Sequence, residues 1–113
     1  MLQRLLAEFV ARRGVHRATM IDDRGRLLAS VGSKGHLPQT EHVVHLASAS
    51  LDAAHGLGLG DLHEVWFEGE TTSLLDILTP YRILMLDGTN GRVARWRHTV
   101  DQMRKQLATT PEL

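Results

Sequence analysis

Histidines form the pattern in this sequence that most resembles a metal site. Seven histidines occur in 113 residues, and His42 and His45 are spaced so that both lie on one face of a predicted helix. His55 and His63 are further candidates along the chain. A zinc site needs three or four ligands that converge on one point, and two histidines on an outward helix face do not supply them. We therefore predict no metal site and interpret these histidines as interface or solvated residues, whose titration near neutral pH would make an assembly mildly pH-sensitive.

Three alternating glycines, Gly56, Gly58 and Gly60, superficially resemble a phosphate-binding loop. Such a loop precedes a helix, because the phosphate binds at the positive N-terminal end of that helix. Here the glycines follow a predicted helix and precede a predicted strand. We therefore interpret them as the end of the helix.

Acid–base and nucleophilic chemistry have equally weak support. Asp22 and Asp23 lie in a predicted tight turn, where aspartate is favoured by local hydrogen bonding. Ser30 and Ser33 lack the sequence that surrounds a nucleophilic serine. The carboxylates in the middle of the chain are interpreted as a solvated acidic surface: Asp61, Glu64, Glu68 and Glu70. We therefore predict that the chain is not an enzyme and uses no cofactor.

The last predicted helix carries several basic residues that could meet phosphates: Arg92, Arg95, Arg97, Arg104 and Lys105. No recognised nucleic-acid-binding motif surrounds them, and the acidic middle of the chain argues against a binding groove. We interpret them as a solvated helix face and predict no nucleic-acid partner.

Charge is distributed unevenly although the net charge is zero. Residues 1–38 carry a net charge of +4, residues 39–79 hold seven acidic residues and no Lys or Arg, and residues 80–113 carry +3.

The absence of cysteine fits a reducing compartment. Neither a signal-peptide pattern nor a run near the ~20 apolar residues of a membrane span occurs. These features predict a soluble, cytoplasmic protein with no membrane insertion.

The hydrophobic periodicity predicts an α+β fold with the element order α-β-β-α-β-β-β-α. Leu2, Leu5, Leu6 and Phe9 have helical spacing, and Gly14 suits the end of that helix. The middle helix is predicted over 40–55, and the strands over 15–22, 27–31, 62–68, 71–78 and 81–86. Short connections make neighbouring strands antiparallel, and helices cover both faces of one sheet. Residues 1–107 form a single domain, and residues 108–113 are expected to fray.

The middle helix lacks an ordinary solvent face. Its apolar residues cover about half the helix circumference, wider than the ~100° stripe of a surface helix: Val43, Val44, Leu46, Ala47, Leu51, Ala53 and Ala54. The other side carries His42, His45, Ser48 and Ala49, and only Glu41 and Asp52 are charged. This composition predicts a helix that is covered on two sides, the second cover being another molecule.

The strand predicted over 62–68 has two interpretations. Its His63-Glu-Val-Trp-Phe segment is strongly β-forming and holds no Pro, Lys or Gly. One interpretation is a central strand with Glu64 and Glu68 at its solvated ends. The other is an edge strand that pairs with its own copy, with Trp66 or Phe67 as an anchor.

Several glycine and aliphatic motifs, in their order along the chain, resemble the roadblock/dynein light chain superfamily. The motifs are Gly14-Val15, Ala18, Asp22, Gly25, Leu28-Ala29-Ser30 and Gly32, then Leu57-Gly58-Leu59-Gly60-Asp61-Leu62, Glu64-Val65, Gly69-Glu70 and Asn90-Gly91. Tyr81-Arg82 and Asn90 depart from the family, whose members usually have apolar residues there. The resemblance implies a five-stranded antiparallel sheet of order 2-1-5-4-3, with the first and last helices on one face and the middle helix on the other.

The same resemblance implies a dimer, homodimeric or heterodimeric, in which middle helices and third strands pair to give a ten-stranded sheet. Relatives act as scaffolds or regulators of Ras-like small GTPases, which they bind on the middle-helix face. We expect a homodimeric adaptor of this type, with a shared dimer and partner interface at Glu41, Val44, His45, Ser48, Leu51, Asp52, His63, Val65 and Phe67. Two alternatives remain open: a protein–protein scaffold without effect on a GTPase, and a small-ligand sensor, which needs a cavity walled by small residues.

Overall fold

Three helices and five strands follow one another in the predicted order α-β-β-α-β-β-β-α. The computed structural model describes residues 1–11, 14–33, 40–89 and 92–112. The elements are α1 (Leu2–Val10), β1 (Val15–Ile21), β2 (Leu27–Gly32), α2 (Thr40–Gly56), β3 (Glu64–Glu68), β4 (Thr72–Thr79), β5 (Arg82–Gly88) and α3 (Val93–Thr109). None of the helices in the described part of the chain is both long and apolar enough to cross a membrane.

The strands form one sheet of order β2-β1-β5-β4-β3. Every neighbouring pair is antiparallel. Tight turns explain the three hairpins, and the turn between β1 and β2 needs Gly25, whose φ is +81°, because other residues rarely adopt that conformation. The predicted antiparallel sheet and its strand order are confirmed.

Two hydrophobic clusters, one on each side of the sheet, place the helices. On one side, Leu6 and Phe9 of α1 and Trp96 and Val100 of α3 pack with sheet residues such as Leu86. On the other side, α2 packs over a smaller cluster that comprises Ile21, Val43, Ala47, Leu75, Ile83 and Met85. The predicted placement of α1 and α3 on one face and α2 on the other is therefore confirmed.

A close backbone approach ties the start of β1 to the end of β5. The amide of Thr89 donates a hydrogen bond to the carbonyl oxygen of Gly14 at 3.0 Å. A Cβ atom at Gly88 would overlap that carbonyl group and lie 3.1 Å from Cη2 of Trp96. Gly88 is therefore required, because no side chain fits at that position. Gly14 has a φ of +89°, but it does not end the helix as predicted, since α1 ends at Val10 with Ala11 as its C-cap in the right-handed conformation.

Several element boundaries differ from the prediction because strand pairing decides them. β5 continues to Gly88, since Gly88 and Asp87 still pair with β1. β3 begins at Glu64 instead of Leu62, because Glu64 is the first residue opposite β4. α3 continues to Thr109, two residues into the segment expected to fray. The helix start predicted at Asn90-Gly91 lies outside the described residues.

Candidate functional site

Helix α2 leaves most of its surface uncovered by its own chain. Of its 17 residues, only Val43, Ala47 and Ala54 are buried. Val44 and Leu46 are half-buried against the same cluster. Leu51, which belongs to the predicted apolar sector, is 45% exposed. The sheet therefore covers only part of the wide apolar sector that the sequence predicts on α2.

Strand β3 is an edge strand. It pairs with β4 on one side and stands last in the sheet, so no strand covers its second edge within the described residues. The interpretation as a central strand is therefore wrong. An edge of this kind presents unpaired backbone donors and acceptors, and β3 lacks the Lys, Pro or bulge that commonly protects such an edge.

The two aromatic residues of β3 lie on opposite sides of the sheet. Phe67 is opposite Ser73 and Trp66 is opposite Leu74 in the ladder with β4. Leu74 belongs to the cluster under α1 and α3, whereas Leu75, next to it, belongs to the cluster under α2. Because side chains alternate along a strand, Phe67 lies on the α2 side and Trp66 lies on the α3 side.

Trp66 already has a partner within the chain, because Arg97 of α3 stacks on it. The guanidinium carbon of Arg97 lies 4.9 Å from the centre of the indole ring, a cation–π distance. The same guanidinium forms an ion pair with Glu64, and the hydrogen bond from this pair raises the pKa of Arg97. Phe67 is 51% exposed on the opposite side. Phe67 is therefore a better candidate than Trp66 for the side chain that anchors a dimer interface.

The predicted interface residues fall into three groups. On α2, five of them are exposed: Glu41, His45, Ser48, Leu51 and Asp52. Val44 is half-buried against the core below α2. His63 is exposed just before β3, and on β3 Val65 is half-buried while Phe67 is exposed. The α2 residues, Val65 and Phe67 share one side of the sheet, and their role as an interface stays a prediction.

A polar cluster on the α2 side of the sheet was not predicted from the sequence. Arg17 of β1 is only 5% exposed, and its Nη1 donates to the hydroxyl oxygen of Ser30 at 3.0 Å. Its Nη2 is buried and has no hydrogen-bond partner among the described residues. Asp87 of β5 is opposite Arg17 in the ladder and accepts a hydrogen bond from Ser73 at 2.8 Å.

Burial dominates the electrostatics of this cluster. It raises the pKa of Asp87, although the hydrogen bond from Ser73 and the positive charges of Arg17 and His42 oppose the shift. Burial also lowers the pKa of Arg17, against the charge of Asp87. The sequence signal for this cluster is weak, because β1 also carries His16 and Thr19 and β5 also carries Arg82.

Asp22, which was considered for acid–base chemistry, stabilises the turn between β1 and β2 instead. One carboxylate oxygen of Asp22 accepts hydrogen bonds from the amides of Arg24 and Arg26 at 2.9 and 2.8 Å, which closes the β1–β2 turn and lowers the pKa of Asp22. Across the described ranges, no three histidine or carboxylate side chains come together in a way that could hold a metal ion.

The basic residues of α3 differ in whether they form ion pairs. Arg104 pairs with Asp76 and Asp101, and Arg97 pairs with Glu64. Both arginines thus form ion pairs that were not predicted, although Arg97 stays exposed and Arg104 stays partly exposed to solvent. Arg92 and Arg95, nearer the start of α3, form no ion pair within the described part of the chain.

No protein-family model and no curated protein matches the sequence. Solved structures do match the fold. The gliding protein MglB from Thermus thermophilus has a TM-score of 0.79 and 20% sequence identity, over 95% of this chain and 85% of that chain. Myxococcus xanthus MglB has a TM-score of 0.76 and 15% identity, over 94% and 90% of the two chains. A roadblock/LC7 domain from Streptomyces avermitilis has a TM-score of 0.77 and 18% identity, over 94% and 93%. The resemblance seen in the sequence is thus confirmed for the fold, and this chain has the roadblock/LC7 fold.

Proposed function

We propose that this chain is a cytoplasmic, homodimeric roadblock-type adaptor that binds a Ras-like small GTPase and modulates its nucleotide cycle or its localisation. One observation carries the proposal: β3 has an unpaired edge among the described residues, and the exposed residues of α2 lie on the same side of the sheet as the exposed Phe67. The fold shared with MglB and roadblock/LC7 domains supports it, as does the family resemblance of the sequence motifs.

The edge of β3 supports self-pairing. A second copy would supply an identical antiparallel strand about a two-fold axis, which satisfies the free backbone groups of both copies and joins the two sheets. Phe67 and Leu51, which are 51% and 45% exposed in one chain, would leave water in such a dimer. Burial of exposed apolar side chains is the driving force of association.

Charge supports docking of a partner on the same surface. Residues 39–79 hold seven carboxylates and no Lys or Arg. Among the described residues, Glu64 and Asp76 form ion pairs with arginines of α3. Of the five other carboxylates, Glu41 and Asp52 are exposed on α2, Asp61 and Glu70 lie in loops, and Glu68 lies on the α3 side of β3. Such a surface attracts a partner with a basic surface and speeds their encounter. That the partner is a small GTPase rests on the family resemblance.

Sedimentation of the wild type and of Phe67→Ala tests the dimer. Loss of a central anchor costs about 2 kcal/mol or more, which weakens dimerisation about 30-fold. Tyr81→Ala is the matched control, because Tyr81 is an exposed aromatic residue in the turn between β4 and β5. A Phe67→Ala protein that remains fully dimeric at low micromolar concentration would contradict the assignment of Phe67.

Mixing with a small GTPase encoded nearby tests the second half of the proposal. Complex formation is read by light scattering with the GTPase loaded with GDP or with a GTP analogue, and GTP turnover is measured in parallel. Asp52→Arg is expected to weaken the complex, whereas Glu8→Arg, an equal charge change on the opposite face, leaves it unchanged. A complex that leaves turnover and localisation of the GTPase unaltered indicates the scaffold function instead. No complex in either nucleotide state overturns the proposal.

A further inference from the structure

Alternate residues of β3 present their backbone groups at its free edge. The amide of Ile77 donates a hydrogen bond to the carbonyl oxygen of His63 at 2.8 Å, so the backbone groups of His63 point to β4. In an antiparallel ladder such residues alternate with residues whose N–H and C=O groups point the other way. Val65 and Phe67 therefore bond to β4 like His63. The other three residues of β3 present their backbone groups at the free edge: Glu64, Trp66 and Glu68.

Two-fold symmetry limits how a second β3 can align with this edge. The proposed homodimer, on which this inference rests, pairs two antiparallel copies of β3 about an axis perpendicular to the sheet. Both copies then carry α2 on the same face. Because side chains alternate between the faces, each residue of β3 must lie opposite a residue of the same side. The axis therefore passes beside Val65, Trp66 or Phe67, which lies opposite its own copy.

The alignment centred on Trp66 pairs more of β3 than the other two. It places all five residues of the strand opposite residues of the second copy. An axis beside Val65 pairs only residues 64–66, and an axis beside Phe67 pairs only residues 66–68. In the alignment centred on Trp66, Phe67 packs against Val65 of the second copy on the α2 side. Cross-strand pairs of an aromatic and a β-branched residue stabilise a sheet.

Arg97 lies where this alignment needs a positive charge. Glu64 lies opposite Glu68 of the second copy, and two like charges in that position destabilise a sheet. Arg97 binds Glu64 and stacks on Trp66, so its guanidinium lies on the α3 side, where both carboxylates point. The Arg97 side chain is 43% exposed and thus accessible to a second carboxylate. Glu68 forms no ion pair within the described ranges of its own chain.

We propose that a second copy pairs with β3 in the alignment centred on Trp66, and that Arg97 binds Glu64 of its own chain together with Glu68 of the other. Two identical arginine sites form in each dimer, and each takes one carboxylate from the second copy. An unrelated edge strand without a carboxylate at that position does not complete them. The interface therefore favours another copy of this chain as its partner.

Cysteine cross-linking tests the alignment, because the chain itself contains no cysteine. Trp66→Cys is expected to form a disulfide-linked dimer, since the two Cα atoms lie about 5.5 Å apart in such a pair. Val65→Cys and Phe67→Cys are expected to stay unlinked when each is tested alone, because each position lies diagonal to its own copy at about 7–8 Å. A mixture of these two variants is expected to give a cross-linked heterodimer, which mass spectrometry distinguishes from the homodimers.

Arg97→Gln tests the arginine site. It is expected to weaken dimerisation about tenfold, because it leaves two like-charge pairs without a cation. Arg95→Gln is the matched control, since Arg95 is exposed on the same helix and forms no ion pair in the described part of the chain. Adding Glu68→Gln to Arg97→Gln is expected to restore most of the affinity. A role of Arg97 confined to the folding of its own chain does not give this rescue.

Sedimentation of the wild type separates failure of the alignment from failure of the homodimer. A wild type that stays monomeric overturns the homodimer, and the alignment with it. If the wild type is dimeric, a cross-link in Val65→Cys alone or Phe67→Cys alone places the axis elsewhere and overturns the alignment. Absence of a cross-link in the mixture does the same, and the mixture decides if Trp66→Cys does not fold. Wild-type affinity of Arg97→Gln, or no rescue by Glu68→Gln, overturns the role of Arg97.

Discussion

Asp76 of β4 and Arg104 of α3 form a bidentate ion pair, with Nη1–Oδ1 and Nη2–Oδ2 distances of 2.8 Å. Asp76 is 2% exposed, and Arg104 also donates to Asp101 at 2.8 Å. The hydrogen bond to Asp76 is the largest cause of the raised pKa of Arg104. This pair fixes α3 to the strand that lies next to the free edge β3.

Arg104→Met is expected to destabilise the protein by about 2 kcal/mol, because it leaves the buried carboxylate of Asp76 without its partner, and solvent near the half-exposed arginine reduces the effect. Urea denaturation measures the change. Lys105→Met is the matched control, since Lys105 is exposed on the same helix and surface changes stay within about 0.5 kcal/mol. Equal stability of the two variants would refute a stabilising role for the pair.

Asp87→Asn is expected to change how stability depends on pH. Burial raises the pKa of Asp87 in the folded protein, so the folded state binds this proton more tightly than the unfolded state does. The stability that this group contributes is present below its unfolded pKa of about 3.9, and it is lost as pH rises through the raised value.

The free energy of unfolding of the wild type, relative to Asp87→Asn, should therefore increase as pH falls from about 7 to about 4. Urea denaturation at several pH values within this range measures it. Asp23→Asn, at an exposed aspartate in the first hairpin turn, should show no such trend. A constant difference between the wild type and Asp87→Asn would disprove the shift.

Asp22→Ala is expected to show the opposite dependence. Hydrogen bonds from the backbone amides of Arg26 and Arg24 lower the pKa of Asp22 in the folded protein, with the Arg26 side chain adding to the effect. A lowered folded pKa gives stability that is present above the unfolded value of about 3.9 and is lost as pH falls through the folded value.

Thermal unfolding should thus show a lower melting temperature for Asp22→Ala at neutral pH, and a smaller difference from the wild type in acid. Asp23→Ala is the control, because it removes the neighbouring carboxylate of the same turn. If both variants melt alike at neutral pH, the hydrogen bonds of Asp22 do not stabilise the turn.

Gly88→Ala is expected to prevent stable folding. A Cβ atom at this position overlaps the backbone of Gly14, and strand pairing on both sides of β5 prevents a shift. Gly56→Ala is the matched control, because its Cβ would have no atom within 4 Å. Circular dichroism and soluble yield compare the two. A cooperative unfolding transition of Gly88→Ala at the wild-type temperature would show that the contact relaxes freely.

The fold was predictable because its signals are local. Periodic leucines in α1, the turn glycine Gly25 and short connections determine which elements form and which strands pair. The pairs Arg17–Asp87 and Asp76–Arg104 join residues that are far apart in the sequence, and no periodic pattern marks them. Alternation along β3 also cannot tell an edge strand from a central one, since both expose alternate faces.

The candidate site was predictable in its elements but less so in its details. The apolar width of α2 was visible in the sequence, whereas the share covered by the sheet depends on the small side chains Val43 and Ala47. The choice between Trp66 and Phe67 required the ladder with β4, because only the register assigns each residue to a side.

The opposite directions of Trp66 and Phe67 have a consequence for the alignment of the free edge. A slip of β3 along β4 by one residue would exchange the sides of all its side chains and would bring Phe67 under Arg97. A slip by two residues would keep the sides but separate Glu64 from its arginine. The register of β3 on β4 is therefore fixed, and the free edge presents its unpaired backbone donors and acceptors to an incoming strand in one alignment only.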